Sequence, residues 1–247
     1  MPIIYLSPST QDWNAYVTGS GSEEYQMNLL ADAMTPYLLS NGIQFKRNTP
    51  DMTAASSIRQ ANQGYYDFYL ALHSNASPEY GSRQGVEIYH FPGSVEGIRA
   101  AEIMAEHFKI LYPDPGKVSL RPTTSLGEVD RVRAPSVYLE IGYHDNPQDA
   151  EWILSQLDSI ARVIALSLTE YFGIPFVEPL AKPFSATVAT APDKNLNLRV
   201  RPDLEAAILT SIPSGETVTV YGLLPEWASV GYRDLSGFVR REYLNLM

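Results

Sequence analysis

The stretch Asp67-Phe68-Tyr69-Leu70-Ala71-Leu72-His73 decides the fold. Between Asp67 and His73 the run is apolar without a break, as in strands buried on both faces of a parallel sheet. Strand-like and helix-like segments alternate on either side of it. The strands are predicted at 3–6, 43–47, 67–72, 86–91 and 136–141, and the helices at 23–40, 53–63, 95–111 and beyond Asn146. This alternation predicts an α/β fold, with a mixed, mostly parallel sheet and helices on both faces.

The chain changes character after residue 172. Pro175, Pro179 and Pro183 indicate a linker, and short strand-like segments separated by turn signals follow it. These segments lie at 196–200, 207–212, 217–221, 228–232 and 237–239. We therefore predict a large domain over 1–175, a linker over 176–185 and a small all-β barrel over 186–247.

The 247-residue chain has a formal net charge of -10 and no cysteine. Nucleic acid and anionic membranes are excluded as partners because both are bound through clusters of Lys and Arg. No apolar run approaches the roughly 20 residues of a membrane helix. No basic-then-apolar leader precedes residue 3, so the route of export stays open. Without cysteine, any metal must be bound by histidine and carboxylate side chains.

Two polar residues end predicted strands, the edge at which α/β sheets bind ligands. His73 is either a hydrogen-bonded strand-end histidine or a functional group. Glu140 follows the apolar Val137-Tyr138-Leu139, where a carboxylate is costly unless it is paired or binds a metal. It is either an ion-pair partner of Arg131 or Arg133, or a general base with a raised pKa.

The remaining candidates carry weaker signals. His144 follows Glu140 by four residues, but Gly142 breaks any helix between them, so the two do not share a helical face. They could still point into one pocket, Glu140 from the strand end and His144 from the loop that follows. His107 is predicted to lie on the solvated face of its helix, without a catalytic role. Glu23-Glu24 is typical of ordinary first-turn dipole compensation, worth about 0.3–1 kcal/mol.

Short motifs follow one another in a particular order over residues 3–172. They are Glu24-Tyr25-Gln26-Met27-Asn28-Leu29, Arg59-Gln60-Ala61-Asn62, Leu72-His73-Ser74-Asn75-Ala76, Gly85-Val86-Glu87-Ile88-Tyr89, Pro135-Ser136-Val137-Tyr138-Leu139-Glu140-Ile141-Gly142-Tyr143 and Asn146-Pro147. Each is weak alone. Together they resemble the zinc-dependent N-acetylmuramoyl-L-alanine amidases, a family that includes bacterial cell-separation amidases and phage endolysins.

The resemblance implies a role for individual residues. Glu24 and His73 would be zinc ligands, and Glu140 the catalytic carboxylate. Asn75 and Arg131 are assigned as substrate contacts. The implied reaction is hydrolysis of the peptidoglycan amide between N-acetylmuramic acid and L-alanine, by a Zn²⁺-activated water with Glu140 as general base.

One departure from the family pattern concerns the first strand, which there ends in Asp-Pro-Gly-His-Gly. Here Ser7-Pro8-Ser9-Thr10-Gln11 occupies that place, so Thr10 replaces a zinc-ligating histidine. Because a catalytic zinc usually keeps three protein ligands, our hypothesis is that His144 completes the site. The alternative is a non-catalytic wall-binding protein on a degenerate amidase fold, and a weaker rival is a zinc peptidase acting on short peptides.

The C-terminal segment contains Leu196-Asn197-Leu198-Arg199, Ile212-Pro213-Ser214-Gly215-Glu216-Thr217-Val218, Trp227 and Gly237-Phe238-Val239. This pattern resembles a bacterial SH3-type domain. Such domains commonly bind cell-wall peptide or glycan, and the alternative is a structural appendage with Trp227 in its core. Both resemblances imply peptidoglycan as the partner and an extracellular or cell-wall location.

Overall fold

The computed structural model describes residues 1–191 and 193–246. Its first part consists of β1 Ile3–Pro8, α1 Glu23–Ser40, β2 Gln44–Arg47, α2 Ala54–Gln63, β3 Phe68–Asn75, β4 Val86–His90, α3 Val95–Leu111, β5 Val118–Pro122, α4 Gly127–Asp130, β6 Ser136–Tyr143, α5 Pro147–Ser155 and α6 Leu157–Phe172. The strands form one sheet in the order β2-β1-β3-β6-β4-β5. The predicted α/β fold with a mixed sheet is confirmed.

Strand β3 lies inside this sheet, paired in parallel with both β1 and β6. Strand β4 runs antiparallel to β6, and β5 is parallel to β4. One face packs Tyr69 and Tyr138 against α2 and α4. Phe68 points to the other face, where its ring contacts Tyr171 of α6. Helices therefore cover both faces, which explains the unbroken apolar run of β3.

Two strands run further than the sequence predicts. Strand β3 continues past His73 to Asn75, and β6 continues past Glu140 to Tyr143, because the two strands keep pairing with a register shift after His73. The long helix predicted beyond Asn146 is two helices, since α5 ends at Ser155 and α6 begins at Leu157. None of the described helices is long and apolar enough to span a bilayer.

Contacts divide the chain into two compact units. The larger one comprises Ile4–Met34 and Phe45–Tyr171, and the smaller one Met1–Ile3, Thr35–Gln44 and the residues from Phe172 onward. The smaller unit contains β7 Phe184–Val188, β8 Asn195–Arg199, β9 Ile208–Pro213, β10 Thr217–Leu223, β11 Trp227–Tyr232, β12 Leu235–Arg240 and β13 Leu244–Leu246. These strands form an antiparallel sheet in the order β13-β7-β10-β11-β12-β8-β9, around a core that includes Leu198, Val220 and Val230. The predicted all-β, SH3-like region is confirmed.

Within the smaller unit, Asn41 holds the segment that follows α6. Its Oδ1 accepts from the backbone N–H of Val177 at 2.6 Å, and its Nδ2 donates to the carbonyl oxygen of Val177 at 3.0 Å. Both residues are buried. Residue 177 lies inside the predicted linker over 176–185, so this part of the segment is anchored, while the predicted domain boundaries stay a prediction.

We expect Asn41→Ala to lower the free energy of unfolding by about 1–3 kcal/mol, because it leaves the buried backbone N–H of Val177 without its acceptor. Urea denaturation measures this loss. The control is Asn245→Ala, whose side chain is exposed. Equal stability of the two variants would contradict the anchoring role of Asn41.

Candidate functional site

A cleft of about 390 Å³ opens beside the carboxyl ends of β1 and β3. Residues 7–11 form one wall, His73, Glu128 and Tyr138 also line it, and Trp13 and Met52 contribute apolar surface. Trp13 is 72% exposed although its indole is large and apolar. The cleft therefore joins a polar, titratable region to an open apolar surface.

His73 lies between two buried carboxylates. Its Nδ1 is 2.8 Å from Oε1 of Glu23, and its Nε2 is 3.1 Å from Oε2 of Glu128. Burial opposes a charge on this ring, but the hydrogen bonds to Glu128 and Glu23 outweigh burial and raise the pKa of His73 to about 10. The ring of Tyr138 stacks on the imidazole at 4.2 Å. The ring is thus fixed in position and orientation.

Each carboxylate is oriented in turn by its own donors. Asn14 donates to Oε2 of Glu23 at 2.7 Å. Ser7 and Tyr69 donate their hydroxyls to Oε1 of Glu128 at 2.6 and 2.7 Å. Burial would raise the pKa of both carboxyls, but the bonds to His73 hold the pKa of each below its usual value. These bonds satisfy the buried charges of the cluster.

The side-chain amide of Gln11 approaches the same cluster. Its Nε2 lies 3.4 Å from Nδ1 of His73 and 3.4 Å from Oε1 of Glu23. Gln11 follows Thr10, the position at which the sequence lacks the expected histidine. The loop after β1 therefore still brings a polar side chain to His73.

Glu140 of β6 is in register with His73 of β3 on one side and with Glu87 of β4 on the other. Its Oε2 is buried and has no hydrogen-bond partner among the residues that the structure describes. Burial raises the pKa of Glu140 to about 8, although the nearby His73 lowers it. The alternative of an ion pair finds no support in the described contacts, since Arg133 donates instead to the backbone oxygen of Asn62.

The structure does not bring the predicted ligand set together. His144 contacts Ser74, with its Nδ1 2.9 Å from the Ser74 carbonyl oxygen. Because side chains alternate along a strand, Ser74 points away from the face that carries His73. Glu24 contacts Asn28 on the half-exposed side of α1, whereas its neighbour Glu23 is buried against His73.

The two predicted substrate contacts lie apart from the cluster. Asn75 donates to Glu87 at 3.2 Å, further along β3 than His73. Arg131 is exposed at the end of α4, where its backbone oxygen accepts from Asn62. His107, predicted on a solvated face, is only partly exposed and lies 2.8 Å from the hydroxyl of Ser167.

Three residues of the cluster are not predicted from the sequence. Glu23 was visible only as an acidic residue in the first turn of a helix. Glu128 lies on the four-residue helix α4, in a segment without periodicity. Gln11 is neither titratable nor a common metal ligand. Only the first of these carries a local signal that could have found it.

Whether a zinc ion fits the cluster around His73 depends on the metal-binding side chains that the cluster contains. Among residues 1–191 and 193–246, no three His, Cys, Asp or Glu side chains converge as metal ligands, so the predicted set of Glu24, His73 and His144 does not fit. Nδ1 of His73 and Oε1 of Glu23 do lie side by side, and Glu128 binds the other ring nitrogen. A carboxylate on the second nitrogen is the usual support of a metal-binding histidine, so these two donors fit a metal.

Family comparisons identify both parts of the chain. Residues 10–170 match the family described as N-acetylmuramoyl-L-alanine amidase, and residues 194–245 match the bacterial SH3 domain. No match is found among the curated proteins. The amidase match covers well over half of the chain.

Solved structures show the same fold. The catalytic domain of CwlV, an N-acetylmuramoyl-L-alanine amidase of Bacillus (Paenibacillus) polymyxa var. colistinus, is 17% identical with a TM-score of 0.62, covering 71% of this chain and 100% of that one. An N-acetylmuramoyl-L-alanine amidase of Clostridium difficile 630 is 14% identical with a TM-score of 0.63, covering 70% and 97%. The catalytic domain of the CD27L endolysin, which targets Clostridia difficile, is 19% identical with a TM-score of 0.55, covering 69% and 97%. Through the match over residues 10–170, the chain belongs to the N-acetylmuramoyl-L-alanine amidase family of hydrolases, as the sequence predicted.

Proposed function

We propose that this chain hydrolyses the peptidoglycan amide between N-acetylmuramic acid and L-alanine. The observation that carries the proposal is the buried, unpartnered Oε2 of Glu140 in register with His73. An unpaired carboxylate oxygen in a buried strand is destabilising, and such groups cluster where proton transfer requires them. Family membership supplies the reaction class.

Glu140 acts as the proton carrier of this reaction. It takes a proton from the attacking water while the water oxygen bonds to the carbonyl carbon. It then passes that proton to the nitrogen of L-alanine as the carbon–nitrogen bond breaks. The remaining hydroxyl proton of the tetrahedral intermediate also goes to the amine. The products are therefore the carboxylate of the muramic acid and a stem peptide with a protonated L-alanine amine, so atoms and charges balance.

His73 and Glu23 would hold the zinc ion of this function, and Glu128 would fix the tautomer of His73. Bound there, the ion would polarise the carbonyl and lower the pKa of water toward about 7. Asn14 keeps the carboxylate of Glu23 oriented toward His73. The zinc site proposed here thus differs from the one that the sequence predicted.

The rim of the cleft suits a glycan. Trp13 exposes most of its indole beside the polar residues of the cleft. The apolar face of a sugar ring packs on such a surface, while the peptide amide reaches toward His73. We propose that Trp13 binds the N-acetylmuramic acid side of the substrate.

The C-terminal unit supports the same assignment. A bacterial SH3 domain follows the amidase region, and we propose that it binds peptidoglycan peptide or glycan. We propose that the two domains extend over 1–175 and 186–247. We also propose that the chain acts outside the cell or in the cell wall.

A second candidate function is non-catalytic wall binding. It is favoured by one observation, the presence of Thr10 where the family supplies a zinc-ligating histidine. In that case the fold and the SH3 domain persist without turnover. Release of stem peptides from purified peptidoglycan, which only the enzyme produces, separates the two functions.

We expect Glu140→Gln to lower the rate of stem-peptide release by roughly 10²–10⁴-fold, because the amide cannot accept the proton. Mass spectrometry of the soluble products measures the rate and identifies the new L-alanine amine. Glu102→Gln on the exposed side of α3 is the control and keeps full activity. An active Glu140→Gln variant would refute the role of Glu140.

We expect Trp13→Ala to raise KM on intact peptidoglycan several-fold while kcat changes little, since the indole contacts the glycan and not the reacting amide. The control is Tyr65→Ala, which removes an aromatic ring that is 96% exposed and outside the cleft. Unchanged KM in Trp13→Ala would rule out the glycan contact.

The environment of Glu140 also predicts a pH-dependent stability. Burial raises its pKa from 4.5 to about 8 on folding, so its contribution favours the folded state below about pH 4.5 and is lost as the pH rises to about 8. Glu140→Gln avoids this loss. In the presence of a chelator, the Tm of Glu140→Gln minus the Tm of the wild type is expected to be larger at pH 8 than at pH 5. The same Tm difference at both pH values would contradict a buried Glu140.

A further inference from the structure

We propose that Gln11 supplies the third metal ligand through the oxygen of its side-chain amide. The metal site of this chain then consists of His73, Glu23 and Gln11, with a single histidine. The inference rests on the proposed function for the presence of a metal, and it names the residue that takes over from the missing histidine at Thr10.

The distances within the cluster are close to those between the ligands of a metal site. Nδ1 of His73 and Oε1 of Glu23 are 2.8 Å apart, and the amide of Gln11 is 3.4 Å from each. Ligands bound to zinc at about 2.0–2.1 Å in a tetrahedron are separated by about 3.3 Å. A small opening of the His73–Glu23 contact therefore makes room for a cation between all three.

The amide of Gln11 can present either of its end atoms. Without a cation, its Nε2 faces Glu23 and its Oε1 accepts from Asn14 at 3.3 Å. A half-turn of the amide exchanges the nitrogen and the oxygen. A cation at the centre favours the oxygen facing inward, and Asn14 keeps its shorter bond of 2.7 Å to Glu23.

The surroundings of His73 orient its Nδ1 toward the cation, whose binding releases to solvent the proton that Nδ1 shares with Glu23. Glu128 occupies Nε2, and Ser7 and Tyr69 fix Glu128 by donating to its other oxygen. Such a carboxylate–histidine pair determines which ring nitrogen binds a metal. Both Glu23 and His73 are buried, at 1% and 5% exposure, so the donors are held in place before a cation arrives.

The other candidates for the third ligand lie elsewhere. His144 contacts Ser74 and stacks on Tyr16, on the side of β3 opposite to His73. Glu24 contacts Asn28. Gln11 alone among these residues is close to both donors.

This donor set has a chemical consequence. It offers one imidazole nitrogen and two oxygens, whereas the family pattern offers two imidazoles and one carboxylate. Oxygen donors suit Mg²⁺ and Mn²⁺ better than imidazole does. We expect the wild type to prefer Zn²⁺ over Mn²⁺ by a smaller factor than the Gln11→His variant does. That variant restores the second imidazole one residue from its usual place.

The test measures metal binding by the full-length chain, independently of activity. Zinc affinity is determined by competition with a chromophoric chelator for the wild type, Gln11→Ala, Gln11→His and His144→Ala. Loss of outer-shell partners already costs roughly 10–100-fold in metal affinity, so Gln11→Ala is expected to lose at least about tenfold. Gln11→His should bind zinc more tightly than the wild type.

The controls separate a lost ligand from a lost fold. Thr10→Ala and His144→Ala should keep the affinity of the wild type, and circular dichroism verifies that every variant is folded. Co²⁺ absorption of the wild type and Gln11→His should differ in the visible bands, because the donor set changes. This spectrum reports the ligands even where affinities are similar.

Each outcome decides the proposal. Equal zinc affinity of Gln11→Ala and the wild type, loss of affinity in folded His144→Ala, or no binding by the wild type would overturn it. If Gln11→Ala keeps both zinc and stem-peptide release, the inference fails while the proposed function stands. If zinc binds through Gln11 but no stem peptide is released, the proposed function fails while the inference stands.

Discussion

The pairing of His73 with two buried carboxylates is the constraint on which the rest of the site depends. A buried charge is tolerated only when it is paired and hydrogen-bonded, and here Glu23 and Glu128 face the two nitrogens of one ring. The first turn of α1 and the short helix α4 must both reach the end of β3 for this pairing. Ser7 near the end of β1 and Gln11 in the loop that follows complete the enclosure.

The fold was predictable because its signals are local. The apolar run before His73, the helical spacing of α1 and the capping residue Asn146 each act within a few residues. Strand ends were less predictable, since β3 and β6 extend one another by pairing beyond His73 and Glu140. That extension depends on a partner strand that no local pattern contains.

The site was predictable only in part. His73 and Glu140 stand out in the sequence because they are polar residues after apolar strands, and the structure places them in register on neighbouring strands. The choice of Glu23 over Glu24 depends on a helix rotation of about 100° per residue, and Glu128 is 55 residues from His73 in sequence. His144 lies apart from His73, because it contacts Ser74, which points to the other face of the strand.

The same contacts explain how this cluster can be built before any cation binds. Many small metal domains unfold without their ion because the ligands have no other partners. Here the 2.8 Å contact between His73 and Glu23 is a complete hydrogen bond by itself, and Asn14 satisfies the second oxygen of Glu23. Because the buried charges are paired in either state, folding does not require the metal. In the proposed zinc site, having Thr10 where the family has a histidine would therefore change the affinity for the metal and leave the fold intact.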